Sequence, residues 1–243
     1  MKTIETLNDA FGELKVLDHD EFRTLAFAED DAQSTMLKST PHILQYEYTQ
    51  AMLLVLLFCQ PKRVLLLGLG GGSLMTTLHH HIKGIHITAV ELRALVVEVA
   101  YKYFRLPRGK KMQVVQQSAD DFVCETMPKK VDVVFADLYH RDGVDETQLQ
   151  AEFIAHCAKQ LKDRGWLVIN GWVEHQDNPT FITALQEHFV DIRTVLTGSH
   201  NWVILAGKAE DTQEMWELND KAALLSGQLG FSMSWHLGRL RML

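Results

Sequence analysis

Cysteine is scarce in this chain and spaced without any metal or redox pattern. Cys59, Cys124 and Cys157 sit in apolar or amphipathic contexts, so buried free thiols are expected. No apolar run approaches a bilayer span: the longest, Ala51 to Cys59, is nine residues, against the ~20 that a membrane helix needs. The opening Met1-Lys2-Thr3-Ile4-Glu5 does not read as a signal peptide, so a cytoplasmic protein with no membrane partner is expected. Positive charge is short as well. With 24 Lys and Arg against 31 Asp and Glu the net charge is −7, which disfavours nucleic acid and suits a cationic small molecule. Repeats and low-complexity tracts are absent. What remains is an ordinary globular composition over 243 residues, enough for a full α/β core and a small accessory unit.

The richest local signal is Arg63-Val64-Leu65-Leu66-Leu67-Gly68-Leu69-Gly70-Gly71-Gly72-Ser73-Leu74. An unbroken apolar run of this kind fits a strand buried on both faces. It breaks into glycines, which permit a sharp turn and the close approach of a ligand to bare peptide groups. A second apolar run, Ile85 to Val90, ends on Glu91, 23 residues after Gly68. A carboxylate there can accept hydrogen bonds from both hydroxyls of a ribose. Ser73 stands where a dinucleotide motif wants a third small glycine or alanine, which disfavours NAD. Glu91 as a helix cap beside an empty tight turn is the competing reading.

Regular alternation begins at Lys62. Strands are expected at 63–67, 85–90, 112–116, 131–136 and 166–170, with helices near 73–83, 93–104, 119–127, 147–162 and 178–189. Alternating strands and helices give a parallel sheet covered on both faces. The runs 192–196 and 202–206 are joined by five residues, too few for a crossover helix, so they should pair antiparallel. The expected fold is therefore a Rossmann-like α/β sheet of the class I AdoMet-dependent transferase layout, closing on an antiparallel hairpin. Residues 1–40 are expected as a small N-terminal β unit, with strands at 14–17 and 22–27 about the turn 18–21, and residues 41–243 as the main domain. A helix is expected over 43–58, stopped by Pro61, and a last one over 211–227, packed through Met215, Leu218, Ala222 and Leu225.

Ligands of open α/β sheets lie beyond the carboxyl ends of the strands. The polar groups there are the Gly68–Ser73 loop, Glu91, Gln117 to Asp121, and Asp137 to His140. Asp137, closing the apolar strand Val131 to Ala136, can hold a cationic amine and take its proton during attack on an electrophilic carbon; a turn cap is the alternative. Asp120 reads either as a contact to the adenine amine or as a helix cap. His79, His80 and His81, with His86 nearby, lack a carboxylate or cysteine beside them and read as a solvated helix end, so no metal is expected. Trp166, Trp172, Trp202 and Trp235 read as core or pocket wall. The stretch 231–237 carries no assignment.

The chain resembles the spermidine synthase family of polyamine aminopropyltransferases over nearly its full length. The resemblance rests on Gln33-Ser34-Thr35-Met36, Tyr46-Glu47-Tyr48, Gly68-Leu69-Gly70-Gly71-Gly72-Ser73, Val90-Glu91, Asp137, Gly143 and Leu161 to Val168. It implies a small β domain before an AdoMet-type domain, decarboxylated AdoMet as donor, methylthioadenosine as product, and frequently a homodimer. It places Glu91 on the ribose, Gln33 on the nucleoside and Asp137 on the attacking amine. Gly68, Gly70, Gly72, Ser118, Ala119 and Asp120 complete the implied cofactor set; Tyr46, Glu47 and His140 form the implied amine set. Several family acids are replaced: His140 stands three residues after Asp137, His42 four before Tyr46, Ser118 at the adenine aspartate, Trp172 near the acid after the fifth strand, and Thr197-Gly198 where a tyrosine is usual. Fewer fixed carboxylates weaken the desolvated binding of a dication. Two other readings thus stand beside aminopropyl transfer. One is an AdoMet-dependent methyltransferase releasing S-adenosylhomocysteine, with Arg93 or Arg141 meeting the cofactor carboxylate; the other is a non-catalytic nucleoside-binding protein.

Overall fold

The computed structural model describes residues 2–27, 32–125, 127–140 and 143–243, His140 by its backbone only. Four strands open the chain: β1 (Lys2–Asp9), β2 (Gly12–His19), β3 (Phe22–Ala26) and β4 (Ala32–Leu37). They form an antiparallel meander in the order β1-β2-β3-β4. Two strands beyond the expected pair complete it. β1 is hydrophilic at most positions and β4 reads Ala-Gln-Ser-Thr-Met-Leu, so neither shows a clean alternation. The tight turns are chemically apt: Asp9 Oδ1 accepts from the Phe11 N–H at 2.9 Å, and Gly12 adopts φ +105°.

The segment expected as one helix over 43–58 is shorter and composite. Helix α1 (Glu47–Met52) passes into a 3-10 turn over Leu53–Leu57, four of whose five residues are buried. The apolar run is buried all round, so packing rather than an amphipathic period shapes it. The regular alternation then follows: β5 (Arg63–Leu67), α2 (Ser73–His81), β6 (His86–Glu91), α3 (Ala94–Tyr103), β7 (Met112–Gln116), α4 (Ala119–Cys124) and β8 (Val131–Ala136). A two-residue pair, β9 (Tyr139–His140) with β10 (Gly143–Val144), precedes a 3-10 turn at Glu146–Leu149 and α5 (Ala151–Gln160). The chain continues with β11 (Leu161–Trp172), α6 (Pro179–His188), β12 (Asp191–Leu196), β13 (Asn201–Gly207), α7 (Met215–Leu229), α8 (Met233–Leu237) and β14 (Arg241–Met242).

The main sheet runs β14-β12-β13-β11-β8-β5-β6-β7. β6, β7, β8 and β11 run parallel to β5, whereas β13 is antiparallel to β11 and to β12, as the short 197–201 connection requires. Helices cover both faces. Val64, Leu66, Val133 and Phe135 face α1, α2, α7 and α8, while Leu65, Leu67, Val134 and Ala136 face α4, α5 and α6. The small sheet packs Leu14, Val16, Leu25 and Met36 against Val96, Val99 and Phe104 of α3. After β5 the chain moves to β6 and β7 on one side and returns to β8 on the other. That reversal opens a crevice between β5 and β8 at their carboxyl ends.

Several expectations are corrected. β11 extends from 166–170 to twelve residues, and α5 starts at Ala151 behind the 3-10 turn. In α7, Leu218, Ala222 and Leu229 are buried, whereas Met215 is 61% exposed in its first turn. Of the thiols only Cys157 is buried. Cys124 is exposed at the end of α4, its Sγ 3.3 Å from His156 Nδ1. Trp235 is 51% exposed with Arg239 over its ring, so it is neither core nor pocket wall. The unassigned C-terminal stretch holds α8, and β14 pairs with β12 beyond it.

Candidate active site

The crevice holds a cavity of about 460 Å³, within the usual range for small-molecule sites. Its floor is the β5–α2 loop. Gly68 and Gly70 take φ +91° and +52°, and a Cβ on Gly68 would lie 2.3 Å from the Asp137 carbonyl oxygen. Backbone packed that closely accepts only glycine. Ser34 of β4 reaches across to this loop, its Oγ accepting from the Gly71 N–H at 2.9 Å. Gly72, at φ +77°, precedes α2 with its Cβ position filled by Leu106, and it does not line the cavity. Its service is to the turn.

Glu91 lines the cavity at the end of β6. Its Oε2 accepts from the Leu69 N–H at 3.1 Å and its Oε1 from the Arg93 N–H at 2.9 Å. Burial pushes its pKa up, and those backbone donors oppose the rise. Each carboxylate oxygen has a second lone-pair direction, which suits a vicinal diol. Gln33, Ser118, Ala119 and Asp120 also line the cavity, at the ends of β4 and β7. Arg93 does too, but its guanidinium is spent. It binds both Asp9 oxygens at 3.0 and 2.9 Å and the Gly12 carbonyl, which clamps the small sheet to the rim.

Asp137, just beyond β8, lines this cavity and a second, about 30 Å³, which shares Ser34, Tyr48, Gly68 and Leu69 with it. It keeps partial exposure to these cavities while its carboxyl is enclosed by protein. Burial raises its pKa to about 6, against donation from Asn170 and Tyr48 that favours the charged form. Asn170 Nδ2 donates to Oδ1 at 2.8 Å. Asn170 is itself fixed by Asn201 Nδ2, 3.1 Å from its Oδ1, and the same amide approaches Tyr139 Oη at 3.3 Å. Fully buried Gln148 bonds the carbonyls of Leu138 and Asn170. This polar net aims one carboxylate into the crevice.

The amine-side residues separate. Tyr46 lines the small cavity with Tyr48, its hydroxyl 2.8 Å from Thr35 Oγ1. Glu47 lies in neither cavity: its carboxylate takes Arg239 Nη1 at 2.7 Å and the Gly198 N–H at 2.9 Å, fastening α1 to the C-terminal region. A single residue step along α1 points Glu47 away from Tyr48, since adjacent helical residues diverge by about 100°. The His140 side chain and Arg141 lie outside the described residues. Trp172 lines neither cavity and packs against Gly143 and Tyr139, so it does not seal the route to Asp137. Ser34, Tyr48, Gln148 and Asn170 are absent from the sequence-derived site. Asn170 carried a readable signal, a polar residue at the carboxyl end of an apolar strand, and Ser34 and Tyr48 stood inside the family-like motifs without a role of their own.

A family model described as the spermine/spermidine synthase domain matches residues 45–197. The polyamine aminopropyltransferase of Chromobacterium violaceum is 25% identical over 240 residues, covering 96% of this chain and 91% of that one. Over a shorter stretch of 117 residues, the eEF1A lysine and N-terminal methyltransferase homolog of Drosophila melanogaster is 32% identical, covering 45% of this chain and 17% of that one. Two solved structures share the fold. A probable spermidine synthase from Corynebacterium glutamicum has a TM-score of 0.80 at 16% identity, over 98% of this chain and 92% of that one. Human methyltransferase-like protein 13, in complex with SAH, has a TM-score of 0.68 at 21% identity, over 76% and 93%.

Proposed function

The chain belongs to the spermine/spermidine synthase domain family, and on that premise we propose that it transfers an aminopropyl group from decarboxylated AdoMet to the amine of a small polyamine. The observation that carries the reading is Asp137, a single enclosed carboxylate shared by the nucleoside-sized cavity and the small cavity adjoining it. In the proposed arrangement Glu91 takes the ribose, the 68–71 loop lies under the sulfur-bearing chain, and Gln33, Ser118, Ala119 and Asp120 surround the base. The acceptor reaches Asp137 from the side of Tyr46 and Tyr48. Its neutral nitrogen attacks the methylene carbon bonded to the sulfonium. The new C–N bond forms as the C–S bond breaks, the electron pair passing to sulfur, which leaves in neutral methylthioadenosine. The proton shed by nitrogen goes to Asp137. Holding both reactants in one crevice supplies much of the acceleration.

The choice of decarboxylated donor is supported by charge. Arg93 is the one cation among the described lining residues of the large cavity, and Asp9 occupies it. A cofactor carboxylate would find no unpaired cation among them. The local identity to a methyltransferase relative favours a second reading, methyl transfer from AdoMet. Thermal unfolding with each of four nucleosides separates the two. Decarboxylated AdoMet or methylthioadenosine at about 100 times its Kd should raise Tm by about 5–10 °C. A larger shift from AdoMet or S-adenosylhomocysteine would turn the assignment to methyl transfer, and no shift from any would remove the nucleoside site. A cytoplasmic location and a homodimer belong to this reading as well. No helix among the described residues is long and apolar enough to cross a membrane.

A further inference from the structure

The helix end that looked merely solvated in the sequence has a third partner in space. His80 and His81 close α2, and His42, from the segment leading to α1, lies against them. The His42 and His80 rings stack at 3.7 Å, and the His81 ring is 4.7 Å from His80 and 5.7 Å from His42. One ring nitrogen from each of the three lies within 4.8 Å of the others. We propose that His42, His80 and His81 bind a divalent transition-metal ion of the borderline class, zinc being the reference occupant.

Four observations support the site. First, His81 Nε2 is buried and has no hydrogen-bond partner among the described residues, a costly state that a coordinate bond relieves. Second, the main-chain position of His42 is already set: Thr77 Oγ1, one turn back in α2, donates to the His42 carbonyl at 2.9 Å. Third, the site lies at the C-terminal end of a nine-residue helix, where unpaired carbonyls favour a cation. Fourth, the donor set selects the ion. Three imidazoles suit zinc, copper, nickel or cobalt and are a poor match for magnesium or calcium, which take oxygen ligands. Tetrahedral Zn–N bonds of ~2.1 Å would set nitrogens about 3.4 Å apart, so the nitrogens must close by roughly 1 Å and the His80 ring, now 10° from parallel with His42, must turn until the in-plane lone pairs converge. His80 is exposed and free to rotate, and a water completes the fourth position.

The ion would not touch the transfer chemistry. It would sit at the far end of α2 from the glycine loop and tie the segment before α1 onto that helix. Its role is thus a clamp, and its presence does not depend on which group the crevice transfers.

Metal binding to tag-free, chelator-stripped protein tests the site. Zinc titrated by calorimetry should bind at one ion per chain, raise Tm, and be reversed by chelator. Cobalt at the same site should give the visible absorption of a low-coordinate complex. His42→Gln, His80→Gln and His81→Gln should each weaken zinc binding at least 10-fold, as loss of one of three protein ligands requires. His79→Gln, on the exposed side of the same turn, should leave it unchanged. Because His80 is exposed, its variant should keep the metal-free Tm even if His81→Gln disturbs packing. The site is overturned if zinc fails to saturate at one ion, if binding survives His42→Gln and His80→Gln, or if it is lost instead with Cys124→Ser, which would move it to the Cys124–His156 pair.

Discussion

At the scale of single residues, the proposed transfer makes Asp137 the group that sets the pH behaviour. It must be ionised to take the amine proton, and its pKa is pushed up to about 6 by burial. Below that value kcat/KM should therefore fall about tenfold per pH unit. Asn170 donates to the charged form, so Asn170→Ala should move this acid limb to higher pH, whereas damage to packing alone would lower the rate without moving it. Asp137→Asn should reduce kcat by about 10²–10⁴ and leave methylthioadenosine affinity within a few-fold of wild type. The sign for stability follows from the same shift. A carboxyl whose pKa is raised on folding stabilises the fold below about pH 4, and that contribution is lost as pH rises through about 6. Relative to wild type, Asp137→Asn should thus gain roughly 1–3 kcal/mol between pH 4 and 7, measurable by urea unfolding at both. Asp137 and Glu91 were legible because they end apolar strands. Gln148 was not, nor was the partner of Tyr48, since a polar residue in an amphipathic stretch gives no sign of which neighbour it will meet. Glu47 shows the converse: the family resemblance implied a substrate contact, and the fold pairs it with Arg239.

At the scale of elements, the β5–α2 turn is the least replaceable piece. Gly68→Ala brings a Cβ against the Asp137 carbonyl, so both strand ends must move, in a residue already at φ +91°. The expected cost is about 2–4 kcal/mol, with nucleoside binding lost alongside, and thermal unfolding with and without methylthioadenosine reads both. The parallel strands β5 and β8 match their sequence-expected bounds because burial on both faces leaves continuous apolar runs, and the edge strand β7 matches on its short apolar centre Val114-Val115. The hairpin of β12 and β13 was readable from loop length alone. β1 and β4 were hidden: each is half-exposed, and their meaning depends on α3 as the surface they cover. The histidine cluster was invisible for a related reason, since two of its members are consecutive and the third stands 38 residues earlier, joined only by the return of the chain.

At the scale of the whole molecule, the two halves of the crevice draw on different stretches of chain. The large cavity is lined from within roughly the first 150 residues, from Phe11 to Thr147. The amine half depends on α1, which carries Tyr48 to Asp137, and α1 is held by the other extremity: Glu47 binds Gly198 and Arg239, and Gln50 meets His236. During synthesis, then, the residues lining the large cavity emerge first, while Arg239 and His236, which complete the hold on α1, follow about 90 residues later. Competence to bind precedes competence to react. Chains released after residue 210 should still be protected by methylthioadenosine against proteolysis yet show no transfer, and adding back residues 211–243 in cis should restore turnover without altering nucleoside affinity. In the proposed reaction, then, residues 211–243 would govern turnover and leave donor binding alone.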